Sequence, residues 1–410
     1  MRVAFFSVSD QMGGSEAMLL QIVRELRRSR PSWDLHLILP GTGPLAGHAA
    51  ALGARVVALP MPASLARLGE WGLRRAALPS VVARLVRAAR DLRPYERAFC
   101  RALAAIVPDV VHSNGFKAHI VAARAREANR GLIWHMHEYV SMRPLTRVLI
   151  RRYAGRSDLI VANSRSVADD IRRITGARGR VRVIHNGVDL ARFAPEGPAV
   201  DLDALSGLPP APAGTVRVGL VATFSRWKGH DAFLRAIARL PRSARVRAYV
   251  IGNAVYDTDG SQHSMQELQA LSAELGIADR VGFTGFVPTS DEVMRALDVV
   301  VHASTTPEPF GLVIAEAMAC GRALVTSGTG GAAELVREGD DALIHRPGDA
   351  TDLASAIGRL AADAALRARL GRAARATAVR RFDARRLADD FASAYEAAAH
   401  NASGTRPVQQ

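Results

Sequence analysis

Two carboxylates spaced by a helical interval offer the clearest chemistry in this 410-residue chain. Glu308 and Glu316 lie in the run Glu308-Pro309-Phe310-Gly311-Leu312-Val313-Ile314-Ala315-Glu316-Ala317-Met318-Ala319-Cys320-Gly321. The run follows an apolar strand and a loop of small polar residues, His302 to Pro307, and predicts a helix from Phe310 to a stop at Gly321. A helix that opens after a strand presents free N–H groups and the positive end of its dipole, which suit a phosphate. Glu308 then sits just before that end and Glu316 about two turns along it. One carboxylate can meet a group beyond the phosphates while the other meets a group on the opposite side. In a nucleotide sugar those groups are sugar hydroxyls and ribose hydroxyls. A capping Glu308 and a solvated Glu316 are the plain structural alternative. Elsewhere, His135 and His137 share one side of the run GLIWHMH by period 2, with Glu138 next. His-x-His-Glu hints at a metal, but no third and fourth ligands have convincing spacing, and a core histidine fits His135 better than His137. Gly13 and Gly14 fall between a strand and a helix, where backbone N–H groups can approach a phosphate or an acceptor.

Short apolar runs alternating with amphipathic stretches must position these residues, a pattern of parallel strands joined by helices. In the first half the runs are VAFFSV (3–8), LHLILP (35–40), ARVVALP (54–60), PDVVHSN (108–114), GLIWHMH (131–137), DLIVANS (158–164) and VRVIHNG (181–187). Residues 64–106 read as helical, broken near Pro79 and Pro94, with arginines at 84, 87, 90, 93, 97 and 101. A Pro/Ala/Gly-rich passage, Pro195 to Gly214, reads as an interdomain linker. The rhythm then restarts with VRVGLVA (216–222), VRAYVIG (246–252), RVGFTGF (280–286), DVVVHAS (298–304) and ALVTS (323–327). The expectation is a Rossmann-like domain over 1–195, a linker over 196–214 and a second Rossmann-like domain over 215–382. A C-terminal helix over 383–400 crosses back to the first domain, and 401–410 is a flexible tail. In such sheets ligands sit at the carboxyl ends of strands, so two domains facing across a cleft would hold a substrate between them.

Composition narrows the class. With 49% hydrophobic and 23% charged residues, the chain is neither disordered nor a disulfide scaffold. Cys100 and Cys320 form no zinc or redox spacing, and the N-terminal apolar run is too short for a signal peptide. A cytoplasmic protein, lying on a membrane face if it meets one, is the expectation. The net charge of +15 is uneven: residues 1–200 hold 31 Arg and Lys against 15 Asp and Glu, and residues 201–410 hold 23 against 24. Fifty-two of the 54 basic residues are arginines, which genomic bias explains, but bias does not confine the excess to one half. An anionic partner is therefore expected at the first half, with residues 64–106 the candidate for anionic lipid or a lipid diphosphate. Without a basic–aromatic platform, nucleic acid is not an expected partner.

The run EPFGLVIAEAMACG resembles the signature of the family-4 retaining glycosyltransferases, which have the GT-B fold. Gly13-Gly14-Ser15-Glu16, His185-Asn186-Gly187-Val188-Asp189, Trp227-Lys228-Gly229-His230, Gly285-Phe286-Val287, Gly330-Gly331 with Glu334, and Pro347-Gly348-Asp349 follow in that family's order. The resemblance implies an α/β, GT-B architecture and a metal-independent, retaining hexosyl transfer without a resident cofactor. The donor is a nucleotide diphosphate sugar, UDP- or GDP-linked, and the acceptor is a glycan, lipid-linked or small-molecule hydroxyl in polysaccharide, lipopolysaccharide or glycolipid synthesis. It assigns catalysis to Glu308, His137 and Lys228, with Glu308 on the transferred sugar and Lys228 on the diphosphate leaving group. Glu316 would hold the ribose, and backbone N–H groups from Phe310 and Gly311 through Leu312 and Val313 the diphosphate. Phe286 and Val287 would hold the base through backbone groups, with hydrophobic core as the alternative. Gly13 and Gly14 would form the acceptor or phosphate loop. The family's basic residue five positions before the lysine is replaced by Thr223, and Arg226 is the candidate substitute. A GT-B-like nucleotide-sugar epimerase and a non-catalytic nucleotide-sugar-binding subunit remain the alternative functions.

Overall fold

The computed structural model describes residues 1–67, 78–254 and 261–402. Residues 68–77 of the basic stretch and 403–410 of the expected tail lie outside them. The chain divides into two units, Met1–Gly187 with Ala384–Gln410, and Val188–Asp383.

In the first unit, near-continuous apolar runs make strands that are buried in the middle of the sheet and open at its edges, Arg55–Ala58 and Val181–Val183, the mark of a parallel sheet covered on both faces. They are β1 (Arg2–Ser7), β2 (Asp34–Leu39), β3 (Arg55–Ala58), β4 (Val110–Asn114), β5 (Gly131–Met136), β6 (Leu159–Ala162) and β7 (Val181–Val183). All pair parallel, in the order β3-β2-β1-β4-β5-β6-β7. The order reverses between β1 and β4, which makes the loops after their carboxyl ends the ligand position of this sheet. The helix Leu78–Ile106 packs Tyr95, Phe99, Leu103 and Ile106 into the core, where the tilted rings of Phe6 and Phe99 meet at 4.3 Å. It runs through Pro94 without breaking there. The burial that follows Pro94 outweighs one missing hydrogen bond, and Pro79 stands in the first turn, where no N–H is needed. The C-terminal helix, Leu387–Ala402, packs on β5 and on the helix Gly14–Ser29. Gly131 permits that contact, since a Cβ there would stand 2.8 Å from the Ala398 carbonyl carbon. The helix includes residues 401 and 402, which the sequence reading places in a tail.

The second unit repeats the design with β8 (Val216–Val221), β9 (Val246–Ile251), β10 (Val281–Gly285), β11 (Val299–His302), β12 (Ala323–Thr326) and β13 (Leu343–Ile344). The strands pair parallel in the order β10-β9-β8-β11-β12-β13, with the reversal between β8 and β11. The two-residue β13 carries too little pattern to be read from sequence.

The unit boundary falls at Gly187/Val188, not at 195/196, and the passage read as a linker belongs to the second unit. Asp203, in the short helix Leu202–Leu205, is the anchor. Its carboxylate accepts from Arg247 (2.8 Å), Tyr249 (2.6 Å), Arg217 (3.2 Å) and the Ala211 N–H (2.9 Å). Burial would raise its pKa, but these donors hold the carboxyl well below its ordinary value. A Pro- and Ala-rich composition therefore conceals an ionic clamp.

Candidate functional site

Where the second sheet reverses, the loops after β8 and β11 are tied together. Gly229 takes φ +78°, and a Cβ there would lie 2.0 Å from the Ala303 carbonyl oxygen, so only glycine admits this approach. The Thr305 N–H donates to the Trp227 carbonyl at 2.7 Å. The stitch brings Lys228 to Glu308. Lys228 Nζ donates to Glu308 Oε2 at 2.7 Å and lies 4.0 Å from the Trp227 ring centre. The backbone of Glu308 is clamped as well: its N–H donates to Thr329 (3.3 Å) and its carbonyl accepts from Gly331 (2.7 Å).

Two residues outside the sequence assignment complete the cluster. Ser304 Oγ donates to Glu308 Oε2 at 2.9 Å, and His302 Nε2 lies 3.2 Å from the same oxygen. His302 Nδ1 lies 3.0 Å from Thr326 Oγ1. With Nε2–H donating to Glu308, Nδ1 is left to accept from the threonine hydroxyl. Burial works to raise the Glu308 carboxyl's pKa, but Lys228 first and His302 next overcome it, and the group is held well below its ordinary value. The signal for His302 was its place at the carboxyl end of β11, beside the reversal point.

The helix after Glu308 runs Leu312–Ala319, two residues later than the sequence reading, because Gly311 at φ +90° is the N-cap. Phe310 is a core residue, edge-on to Phe382 at 6.1 Å, so its backbone alone can serve a ligand. Leu312 and Val313 are half-buried against that core. Glu316 is half-buried, and desolvation pushes its carboxyl up to about 7, opposed by Arg192 and aided by Asp291. Phe286 is 71% exposed, which removes the core alternative for it, whereas Val287 is half-buried against the core. Arg226 is not brought to Glu308. It pairs with Glu267 (3.3 Å) and meets His263 Nδ1 (3.2 Å) on the exposed side of the loop.

In the first unit, Gly13 caps the helix Gly14–Ser29 with extended backbone, and the helix start carries the buried Glu16. Burial raises the Glu16 carboxyl, partly offset by the Ser15 hydroxyl at 2.8 Å. His137 follows β5, and its Nε2 donates to Asn114 Oδ1 at the end of β4, 2.7 Å away. Burial lowers its pKa to about 4, so the ring is neutral at neutral pH. The His135 ring lies 4.0 Å from it, centre to centre and tilted, with both ring nitrogens buried and unpartnered, the character of a core histidine. Among the described residues no group of three or more His, Cys, Asp and Glu is placed to hold a metal ion.

This geometry has counterparts. Residues 12–192 match the description Glycosyltransferase Family 4, and residues 210–377 match Glycosyl transferases group 1. The chain belongs to this glycosyltransferase family. A D-inositol 3-phosphate glycosyltransferase of Stackebrandtia nassauensis is 36% identical over 263 residues, 62% of this chain and 57% of that protein. Another, of Streptomyces bingchenggensis, is 32% identical over 282 residues, 64% and 61%. The matched stretch thus spans less than two thirds of these curated relatives. Among solved structures, Anabaena Alr3699/HepE in complex with UDP-glucose aligns with a TM-score of 0.77 at 26% identity, covering 97% of this chain and 99% of that one. Its UDP complex aligns with a TM-score of 0.75 at 26% identity, over 97% and 100%. The two parallel-sheet units are those of the GT-B fold.

Proposed function

We propose that this glycosyltransferase moves a sugar from a nucleoside diphosphate sugar, UDP- or GDP-linked, to an acceptor hydroxyl with retention at the anomeric carbon. Polysaccharide, lipopolysaccharide or glycolipid assembly is the setting that the inferred family role suggests. The observation that carries the reading is the Lys228–Glu308 pair at the opening of the helix Leu312–Ala319. A diphosphate at the helix opening is met by Lys228 turning from Glu308 towards it. The ammonium and the helix N–H groups then share the phosphate charge. Glu308 keeps its Ser304 and His302 donors and turns its acceptor capacity to the sugar hydroxyls. Glu316, further along the helix, accepts from the ribose. The anomeric carbon–phosphate oxygen bond breaks, a bond to the acceptor oxygen forms on the same face, and the acceptor proton passes to the departing phosphate oxygen. The cationic work falls to Lys228 and the helix end, with no resident metal or cofactor assigned. On the first unit, His137 is assigned to the donor sugar and the Gly13–Gly14 turn to the acceptor or its phosphate.

A thermal-shift panel of uridine, guanosine and adenosine diphosphates and their sugars tests the donor. Selective stabilisation by one base is expected, and no response to any would overturn the reading. NMR of the product anomer tests retention, and an undiminished rate in chelator tests metal independence.

A further inference from the structure

The helix Pro144–Tyr153, with sequence PLTRVLIRRY, buries only Ile150 of its ten residues. Helices earn their stability by packing an apolar face, so the rest of this one's apolar surface is unaccounted for. Leu145, Val148 and Leu149 are 54%, 64% and 42% exposed and fall at i, i+3 and i+4, one stripe of the helix surface. Met142, just before the helix, is also exposed. Arg143, Arg147, Arg151 and Arg152 border the stripe, and residues 142–153 contain no acidic residue. Beside it lies a pocket of about 490 Å³ lined by Ser141, Arg147, Val148, Arg151, Arg173 and Ile174. Arg173 is paired with Asp170 at 2.9 Å, whereas Arg147 and Arg151 have no ion-pair partner among the described residues.

A second stripe has the same make-up. Val82, Leu85 and Val86 of the helix Leu78–Ile106 are exposed among Arg84, Arg87 and Arg90. Both acids of that helix are turned inward, Asp91 accepting from Ser64 and Glu96 pairing with Arg124. Right-handed crossovers place the helices that follow β3, β4 and β5 on one face of the sheet. Arg124, on the intervening helix Phe116–Arg124, joins Glu96 on one side to the Tyr153 hydroxyl on the other. The two stripes therefore belong to one helical layer.

We propose that this layer is a docking surface for a bilayer containing anionic glycerophospholipids. Leu145, Val148 and Leu149 enter the acyl boundary, and Arg147 and Arg151 take lipid phosphates. Charge selects the occupant. The first unit holds 33 Arg and Lys against 16 Asp and Glu, and the second 21 against 23. A second copy would set one arginine-rich layer against another, and nucleic acid would leave an aliphatic stripe facing phosphates. Short apolar side chains ringed by arginines satisfy an anionic interface on both counts. No described helix is long and apolar enough to cross a membrane, so the contact is peripheral.

Flotation of the full chain with vesicles tests this without using transferase activity. The chain should float with phosphatidylcholine–phosphatidylglycerol vesicles, stay behind with phosphatidylcholine alone, and be released by salt. Leu145→Ser with Val148→Ser and Leu149→Ser should abolish flotation. Arg147→Glu with Arg151→Glu should weaken it at least roughly fivefold per arginine. Arg24→Glu with Arg28→Glu, a charge-matched change on the helix Gly14–Ser29, should leave it intact while circular dichroism confirms folding of all variants. Absence of flotation, equal flotation with both vesicles, or equal loss in the control would each overturn the proposal. Sedimentation velocity covers the rival occupant: a dimer that the serine variant converts to monomer, with no flotation, would assign the stripe to a second copy.

Discussion

At the scale of single residues, the cluster around Glu308 Oε2 solves a specific problem. Under the proposed function, a buried carboxylate must stay charged after the lysine beside it has turned to a phosphate. Ser304 and His302, both on the same oxygen, go on holding it. Removing His302 should therefore raise the Glu308 pKa. In His302→Ala the acid limb of the transfer-rate profile is expected to move to higher pH, and the rate at neutral pH to fall by the loss of a hydrogen bond to charge, about 1.5–3 kcal/mol. His302→Gln, which can still donate, should recover part of it. Lys228→Ala should lose most turnover with the fold intact, and near-normal rates there would refute its role. Glu316 runs opposite in sign. Its carboxyl is raised from 4.5 to about 7 by burial, so between these values the folded chain binds more protons than the unfolded one. Stability then falls as pH rises from 4.5 to 7, and Glu316→Gln should flatten that slope in urea titrations across the range. If the ionised form accepts from the ribose, affinity for a nucleotide sugar should rise with pH towards 7 in the native chain and stay level in Glu316→Gln.

At the scale of elements, the stitch between the loops after β8 and β11 sets the site. Gly229→Ala places a side chain at φ +78° and against the Ala303 carbonyl, at a cost of about 1–3 kcal/mol. It should lower the urea midpoint and also turnover, because relief requires the Lys228 loop to move away from Glu308. A variant with lower stability but unchanged turnover would show that the loop spacing is not critical. Much of this framework is legible in the sequence. Twelve of the thirteen strands are apolar runs, and the glycine at 229 and the carboxylate at 308 stand beside recognisable neighbours. What escapes sequence reading has physical causes. Pro94 signals a break, yet Tyr95, Phe99 and Leu103 hold the helix together through tertiary packing that no local pattern displays. Prolines around 209–212 signal a linker, yet Asp203 finds Arg217, Arg247 and Tyr249 on β8 and β9, partners many residues away. His302 resembles any strand-end histidine until the fold sets Thr326 on one side of its ring and Glu308 on the other. Arg226 stands two residues from Lys228 in sequence, but the tight turn directs it to Glu267.

At the scale of the whole molecule, the chain does not finish where its second unit does. Residues 384–402 return to the first unit, so that unit is built from two separate stretches of the sequence. The returning helix supplies Leu387, Phe391 and Tyr395, all buried. The Tyr395 hydroxyl meets His112 Nδ1 at 2.8 Å, and Phe391 stacks on the same ring at 5.5 Å. The second unit's last residue, Asp383, closes a bridge with its first, Val188. Ending the chain after Asp383 should thus divide the molecule's properties. The first unit would lose three large buried side chains, worth about 1.5–3 kcal/mol each, and expose His112 and His135 to water. Calorimetry should show its unfolding transition lowered or absent. The second unit retains Lys228, Glu308, Glu316 and the helix Leu312–Ala319, so a nucleoside diphosphate should still raise the transition that remains. Loss of that ligand response in the truncated chain would mean that the donor site depends on the first unit, whereas an unshifted first transition would mean that the returning helix adds little to the sheet it covers.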